Sequence, residues 1–222
     1  MTSTRAVLFD FSGTLFRLED DASWFEDMDG VDEPVQAELM ERLTHPTGSS
    51  VQMTPEAYHA WLHRDLVPAL HHEAYLHILR ESGLPDHHAE SLYQRVVDPA
   101  SWTPYPDTVN VLQALAGQGI RIAVVSNIAY DIRPAFAAAG AEPDHFVLSF
   151  EVGSAKPDPR IFEVALDLCG VAPNEALMVG DSAENDGAAR SLGCDFVLVD
   201  PLPIAQRKSG LRDGLRAAGV RV

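Results

Sequence analysis

The sequence predicts an α/β fold, in which a parallel sheet carries helices on both faces and an all-helical segment is inserted. Short apolar runs rich in β-branched residues indicate buried strands, and helical patterns lie between most of them. Strands that alternate with helices are typical of a parallel sheet joined by right-handed crossovers. One long interval, residues 16–100, breaks the alternation because it contains no convincing strand.

The predicted strands and helices of the sheet region are bounded by local signals. The strands are residues 5–9, 120–125, 146–148, 176–179 and 195–199. Asp107 is expected to cap a helix that runs through residue 116. A second helix covers residues 134–139 and ends at a glycine, and a third begins at Asp158 and Pro159 and ends at residue 170.

The interval 16–100 predicts a helical domain inserted into the sheet domain. Its candidate helices are residues 34–43, 55–66, 69–81 and 86–97, and residues 45–50 are expected to form a loop. Thr54 followed by Pro55 has the pattern of a helix cap and a first-turn proline. We therefore divide the chain into a core of residues 1–15 and 101–222 and an insert of residues 16–100.

Composition excludes some classes of partner. The formal net charge of −17 argues against a nucleic-acid partner, which would need a basic surface. No apolar stretch approaches the ~20 residues that span a bilayer, so we expect no membrane partner and a cytoplasmic protein. The two cysteines, Cys169 and Cys194, fit a reducing compartment. Nothing in the sequence distinguishes a monomer from a homodimer.

Polar side chains follow three of the predicted strands. Asp10 follows the first strand, Ser126 and Asn127 follow the second, and Asp181 follows the fourth. Because the carboxyl ends of neighbouring parallel strands meet at one crevice, we expect these side chains to lie close together. Two adjacent carboxylates repel each other unless a cation or a shared proton relieves the repulsion. Magnesium, which prefers oxygen ligands, suits such a site.

Four short motifs occur in order along the chain. They are DFSGTL from Asp10, VVSN with Ser126, AKPDPRIF with Lys156, and GDSAEND with Asp181 and Asp186. Together they resemble the four signatures of the haloacid dehalogenase superfamily, and the resemblance covers nearly the whole chain. It implies a Rossmann-like core, and it implies that the helical insert is a cap closing over the site.

The resemblance also implies a mechanism. Asp10 is expected to be the nucleophile, forming an aspartyl-phosphate that water hydrolyses. Mg²⁺ is expected to be held by Asp10, Asp181 and the backbone carbonyl of Ser12, with Asp186 helping directly or indirectly. Lys156 is expected to contact both Asp10 and the phosphoryl group. The candidate catalytic residues are therefore Asp10, Ser12 and Lys156.

The implied substrate is a small-molecule phosphate ester. Ser126 is expected to donate a hydrogen bond to a phosphoryl oxygen, and Lys156 to supply the positive charge that an acidic protein needs to receive an anion. Thr14 and Asn127 are further candidates for substrate contact, although Thr14 also has the position of a residue that orients the Asp10 loop.

Ser12 departs from the family's phosphatases, which usually carry a second Asp at this position as general acid and base. A serine hydroxyl cannot fill that role near neutral pH, and general acid–base help typically contributes ~10²–10⁴-fold. A histidine of the insert could replace it; the candidates are His45, His59, His63, His71, His72, His77, His87 and His88. Restoring Asp at position 12 should raise turnover of poor leaving groups unless another group already supplies the acid.

Two other functions stay open. A 2-haloacid dehalogenase also lacks Asp at this position, but that branch works without a metal and lacks the acidic pair seen at Asp181 and Asp186. Arg42 could imitate its halide-binding arginine. A catalytically degenerate member could instead bind a phosphorylated ligand without turnover, but such a protein would not need Asp10, Lys156 and the acidic pair together.

Overall fold

A computed structural model describes residues 4–19, 22–26, 28, 30–44 and 53–222 of the chain. The loop predicted at residues 45–50 lies outside these ranges, as does His45. The strands are β1 (Ala6–Phe9), β2 (Phe16–Leu18), β3 (Trp102–Pro104), β4 (Arg121–Ser126), β5 (His145–Leu148), β6 (Ala176–Gly180) and β7 (Asp195–Leu198). The α-helices are α1 (Glu33–Thr44), α2 (Pro55–His63), α3 (Pro68–Glu81), α4 (Asp86–Val97), α5 (Thr108–Ala116), α6 (Arg133–Ala139), α7 (Ser149–Val152), α8 (Pro159–Cys169) and α9 (Gly210–Ala217).

Five strands form a parallel sheet in the order β5-β4-β1-β6-β7. The predicted α/β fold is therefore confirmed. The central strand β1 pairs with β4 on one side and β6 on the other, so that Phe9 lies opposite Val124 and Val179. This register places the carboxyl ends of β1, β4 and β6 side by side.

Both faces of the sheet are buried, as the side chains of β1 show. Its alternating side chains contribute to two different apolar clusters, as expected of the two-residue repeat of a strand. Val7 and Phe9 pack in the cluster that contains residues of α5, α6 and α9. Ala6 and Leu8 pack in the cluster that contains the apolar face of α8.

One strand contradicts the expectation that residues 16–100 contain none. β2 pairs antiparallel with β3, with Phe16 opposite Pro104 and Leu18 opposite Trp102. β3 itself lies at the start of residues 101–222, where no strand was predicted. Three residues are too few for a periodic signal, and the pairing joins segments more than 80 residues apart, so only the folded chain reveals it. The α-helices of this interval lie between β2 and β3 in the chain.

The start of α5 also differs from the expectation. Asp107 occupies the N-cap position, but its side chain makes no capping hydrogen bond. Its Oδ2 instead accepts a hydrogen bond from the backbone N–H of Arg212, at 3.0 Å. Arg212 lies in the first turn of α9, a helix that was not predicted, so the carboxylate accepts from the start of α9 instead of capping α5. The other two predicted caps are formed: Thr54 accepts from Ala57 and Asp158 accepts from Arg160.

Within the described ranges, none of the helices is both long and apolar enough to serve as a membrane span.

Candidate active site

Three aspartates meet at the carboxyl ends of the central strands. Asp10 directly follows β1, and its backbone N–H donates to the carbonyl of Val179 in β6, at 2.9 Å. Asp181 directly follows β6, and Asp186 begins the 3₁₀ helix one turn later. One carboxylate oxygen of each aspartate lies within 4.8 Å of the others. The structure thus brings Asp10 of the first motif together with Asp181 and Asp186 of the fourth motif.

Lys156 supplies the positive charge in this cluster. Its Nζ donates to Oδ1 of Asp10 at 2.7 Å and to Oδ1 of Asp186 at 2.6 Å. The lysine is only 5% exposed. A buried ammonium is stable only where carboxylates or other acceptors surround it, so this ion pair fixes the position of the Nζ atom.

The backbone of Lys156 is held by Asn127. Nδ2 of Asn127 donates to the carbonyl oxygen of Lys156 at 2.7 Å, and Oδ1 accepts from its N–H at 2.6 Å. A side-chain amide that is engaged at both ends aligns the Lys156 loop against the end of β4. Asn127 therefore positions Lys156, whereas its direct contact with substrate stays a prediction.

Negative charge exceeds positive charge in the cluster. Burial raises the pKa of the Asp10 carboxyl to about 7; Lys156 opposes this shift and the neighbouring aspartates add to it. Burial and then the charge of Asp186 raise the pKa of Asp181 to about 6. Burial lowers the pKa of Lys156, but Asp10 and Asp186 outweigh it and hold the pKa above its usual value. Three carboxylates around one ammonium are the donor set that a divalent, oxygen-preferring cation satisfies.

Two glycines leave room for the carboxylates of Asp181 and Asp186. A Cβ on Gly180 would lie 2.1 Å from Oδ2 of Asp186, and a Cβ on Gly13 would lie 2.3 Å from Oδ2 of Asp181. Gly13 also has a φ of +74°, which side-chain-bearing residues rarely adopt. The glycines of the first and fourth motifs therefore allow the acidic side chains to approach the main chain closely.

Arg207, which sequence reasoning missed, holds the loop after Asp10. Its guanidinium donates to the carbonyls of Gly13, at 2.6 Å, and Thr14, and to that of Asp200, at 3.1 Å. The same group stacks on the Tyr105 ring with its Cζ 3.3 Å from the centroid. The residue is only 4% exposed. No local pattern marks Arg207, because two of its carbonyl acceptors, Gly13 and Thr14, lie almost 200 residues away in the chain.

Replacing Arg207 by Met is expected to lower the free energy of unfolding by roughly 2–4 kcal/mol, since two buried carbonyls lose their donor. Loss of the loop's support should also reduce any activity that depends on Asp10. Urea unfolding of the variant measures the first effect. Arg216→Met, which removes an exposed arginine of α9, is the matched control. Equal stability of both variants would contradict the assigned role.

A cavity of about 190 Å³ lies between the sheet and the helical insert. Ser12, Ser126 and Asn127 line it from the sheet side. The side facing them includes Arg64, Asp65, His71 and Tyr75 from the segment that joins α2 to α3 and from α3 itself. Ser126 is almost fully buried. Of the described residues, Asp10, Lys156, Asp181 and Asp186 do not line this cavity. It borders the aspartate cluster through Ser12 and Asn185, which lie close to Asp10 and Asp186 in the chain.

Thr14 does not line this cavity among the described residues. The residue is fully buried, and its hydroxyl has no hydrogen-bond partner in the described part of the chain. Its carbonyl is one of the acceptors of Arg207. The structure places Thr14 in the loop beside the aspartates, and contact with substrate stays a prediction.

His71 is the one histidine of the predicted set that lines the cavity among the described residues. Its Nδ1 lies 3.0 Å from the hydroxyl of Tyr93. Burial, followed by the charges of Arg64 and His72, lowers the pKa of His71 to about 3. The imidazole is therefore neutral over the physiological pH range and is a poor source of protons.

Fold and site together define a class: α/β proteins whose central strands end in a cluster of aspartates with a buried lysine. The sequence profile of the haloacid dehalogenase-like hydrolases matches residues 4–193, which is most of the chain. The chain belongs to the haloacid dehalogenase-like hydrolase family. The family that the four motifs suggested is thereby confirmed.

Individual relatives agree with this assignment. The chain is similar to phosphoserine phosphatase of Thermus thermophilus, with 38% identity over 100 residues, covering 43% of this chain and 40% of that protein. It is also similar to haloacid dehalogenase-like hydrolase domain-containing protein 3 of Bos taurus, with 34% identity over 148 residues, covering 65% of this chain and 57% of that protein. The chain therefore spans less than two thirds of the length of either relative.

A solved structure supports the fold. L-2-haloacid dehalogenase from Xanthobacter autotrophicus superposes with a TM-score of 0.65 and 23% sequence identity, covering 99% of this chain and 85% of that chain. At this level of identity the likeness concerns the arrangement of strands and helices. The chemistry has to be argued from the site itself.

Proposed function

We propose that this protein is a magnesium-dependent phosphomonoesterase that acts on a small phosphorylated metabolite through an aspartyl-phosphate intermediate. The observation that carries the proposal is the contact of the buried Lys156 ammonium with Asp10, beside two further carboxylates. A fixed cation 2.7 Å from the nucleophilic carboxylate balances the charge of an incoming phosphoryl group. The hydrolase family and the phosphatase relative support the same chemistry.

The chain's own residues would act in two steps. The Asp10 carboxylate attacks phosphorus and the ester P–O bond breaks, which releases the alcohol and leaves an aspartyl-phosphate. Water then attacks the phosphorus of this intermediate, and inorganic phosphate and the free Asp10 carboxylate are formed. Throughout, Lys156 holds the phosphoryl oxygens by charge, and the hydroxyl of Ser126 donates a hydrogen bond to one of them. Asn127 keeps Lys156 in place.

The proposed metal site uses Asp10, Asp181 and the backbone carbonyl of Ser12, with Asp186 as a direct or indirect ligand. The three carboxylates within 4.8 Å and the raised pKa of Asp10 and Asp181 fit this ion, since a divalent cation would relieve their repulsion. When bound, magnesium would offset negative charge on the phosphoryl group and the carboxylates. Because Ser12 contributes only its backbone carbonyl, the serine side chain does not weaken this site.

We also propose that residues 16–100 form a cap over a core of residues 1–15 and 101–222. The β2–β3 ribbon stands where the two parts join. The cavity between them, about 190 Å³, is smaller than the ~300–1,000 Å³ of pockets for drug-sized ligands. A small phosphate ester is therefore favoured over a nucleic acid, which the net charge of −17 also disfavours.

The test is a screen of phosphate esters and 2-haloacids with and without magnesium, with inorganic phosphate and halide measured separately. We expect phosphate release that requires magnesium and stops when the metal is chelated. Halide release without metal and without phosphate release would identify a dehalogenase. Arg42, the candidate halide ligand, pairs with Glu38 along α1 at 2.6 Å. Binding of magnesium and a phosphate analogue without turnover of any ester would identify a binding protein.

A further inference from the structure

The missing acid at position 12 raises the question of which group protonates the leaving oxygen. The residues that line the cavity identify one candidate. Among the described residues that line it, Asp65 is the one carboxylate. It lies in the turn between α2 and α3, and it lines the same cavity as the strand-end residues Ser12 and Ser126. Sequence reasoning considered only histidines of the insert and passed over this aspartate.

The other ionisable side chains of the cavity are poor acids. The guanidinium of Arg64 does not lose a proton in proteins. His71 is neutral, since burial lowers its pKa to about 3. Burial holds the pKa of Tyr75 and Tyr130 well above the usual value of a phenol. A carboxyl group is the remaining source of a proton on this side of the cavity.

Asp65 is fixed relative to the strand ends. The hydroxyl of Ser149, the first residue of α7, donates to the Asp65 backbone carbonyl at 2.5 Å. The same hydroxyl accepts from the N–H of Ile128, two residues beyond the end of β4, at 2.8 Å. One side chain of the core thereby ties the turn of Asp65 to the loop that follows Ser126. The carboxyl group is presented by an anchored turn of the insert.

The surroundings of Asp65 raise its pKa above that of an ordinary aspartate. Burial raises its pKa, while Arg64 and then Lys156 oppose the shift. Arg64 Nη2 lies 3.5 Å from Asp65 Oδ2, a looser contact than the Lys156 ion pairs. The net rise means that more of the carboxyl is protonated near neutral pH than for an ordinary aspartate. Ser126, the proposed hydrogen-bond donor to the phosphoryl group, lines the same cavity as Asp65.

We infer that Asp65 is the general acid and base that replaces the aspartate absent from position 12, an inference that rests on the proposed phosphatase function. As the Asp10–phosphorus bond forms and the ester P–O bond breaks, the departing oxygen keeps the electron pair and takes the proton of Asp65. The products of this step are the alcohol, the Asp65 carboxylate and the aspartyl-phosphate. The carboxylate then accepts a proton from the water that attacks phosphorus, which restores the acid.

The leaving group provides the test. An acid matters for phenyl phosphate, whose phenolate leaves poorly, and much less for para-nitrophenyl phosphate, whose leaving group needs no proton. Asp65→Asn is expected to lower kcat/KM for phenyl phosphate by about 10²-fold or more, and kcat/KM for para-nitrophenyl phosphate by less than about tenfold, because kcat/KM reports the steps up to formation of the aspartyl-phosphate, where Asp65 acts only as the acid. Asp86→Asn, an aspartate of α4 whose side chain is 82% exposed, is the matched control. A purely structural role would slow both esters equally, and that result would overturn the inference.

Position 12 provides a second, independent test. Ser12→Asp in the Asp65→Asn background is expected to restore hydrolysis of phenyl phosphate, because it places an acid at the family's usual position. The same substitution in the otherwise unchanged protein should give little gain, since Asp65 already acts. A large gain there would overturn the inference even if Asp65→Asn failed to fold. If the unchanged protein hydrolysed neither ester with magnesium, the proposed function itself would fail, and the role of Asp65 with it.

Discussion

Replacing Asp10 by Asn is expected to lower magnesium-dependent hydrolysis of para-nitrophenyl phosphate by about 10⁴-fold or more, the scale reached when a nucleophile is removed. Asparagine has the shape of aspartate, and its carbonyl oxygen can still accept a hydrogen bond from Lys156. The amide cannot form an acyl phosphate, so the first step is lost while the site keeps its structure. Release of nitrophenolate measures the rate, with Asp86→Asn as the exposed control. A rate within about tenfold of the unchanged protein would exclude Asp10 as nucleophile.

The same variant is expected to be more stable than the unchanged protein when metal is absent. The pKa of Asp10 rises from the ordinary 3.8 to about 7 on folding, chiefly because of burial. The folded state therefore binds the proton more tightly, and the stability that this provides is lost as the pH rises through about 7. Asparagine does not ionise, so at pH 8 Asp10→Asn should gain roughly 1–4 kcal/mol in free energy of unfolding.

Urea unfolding in the presence of a chelator tests whether Asp10→Asn stabilises or destabilises the protein. The advantage of Asp10→Asn should be largest at pH 8 and smaller at pH 5, where more of Asp10 is protonated. Lower stability of the variant at pH 8 would mean that attraction to Lys156 outweighs the burial of the Asp10 charge. A gain in stability together with a loss of activity is the pattern expected where a site is built for function.

Replacing Lys156 by Met is expected to have the second large effect, on both stability and rate. The ammonium donates to Asp10 and Asp186 in a buried setting, so its removal leaves two carboxylates without their cation. Breaking a buried ion pair by removing one partner typically costs about 3–5 kcal/mol. The phosphoryl group also loses its fixed positive charge, and we expect kcat to fall by about 10²-fold or more.

The control for this prediction is Lys208→Met, because residue 208 is the other lysine of the chain and is exposed. Thermal and urea unfolding measure the stability of both variants, and phosphate release measures the rate. Lys156→Met should be less stable than Lys208→Met and should release phosphate more slowly. If Lys156→Met retained its rate and stability, the charge balance proposed for the site would be wrong.

The strands of the sheet show which features of the fold can be predicted from local sequence pattern. Each of the five strands of the sheet was predicted to within two residues, because a buried parallel strand is a short apolar run rich in β-branched residues. The polar residues directly after β1, β4 and β6 followed from the same pattern. Parallel strands bring their carboxyl ends to one edge, so the meeting of Asp10 with Asp181 was also predictable.

The contacts that support the site were not predictable in this way. Arg207 reaches the Gly13 carbonyl across 194 positions of the chain, and Ser149 reaches the Asp65 carbonyl across 84. Neither contact belongs to a repeating element, so the periodicity of the sequence does not predict it. The Asn127 amide illustrates the same limit, since the sequence placed it at a strand end but not against the backbone of Lys156.

The sequence by itself determined the α/β fold, the family, and the set of charged residues at the strand ends, because these depend on local periodicity and short motifs. Only the tertiary structure decided which side chains hold those charges in place and which carboxylate of the insert enters the cavity. These depend on how the helical insert packs against the sheet. Packing is set by all the contacting side chains together, and the spacing of residues along one segment does not encode it.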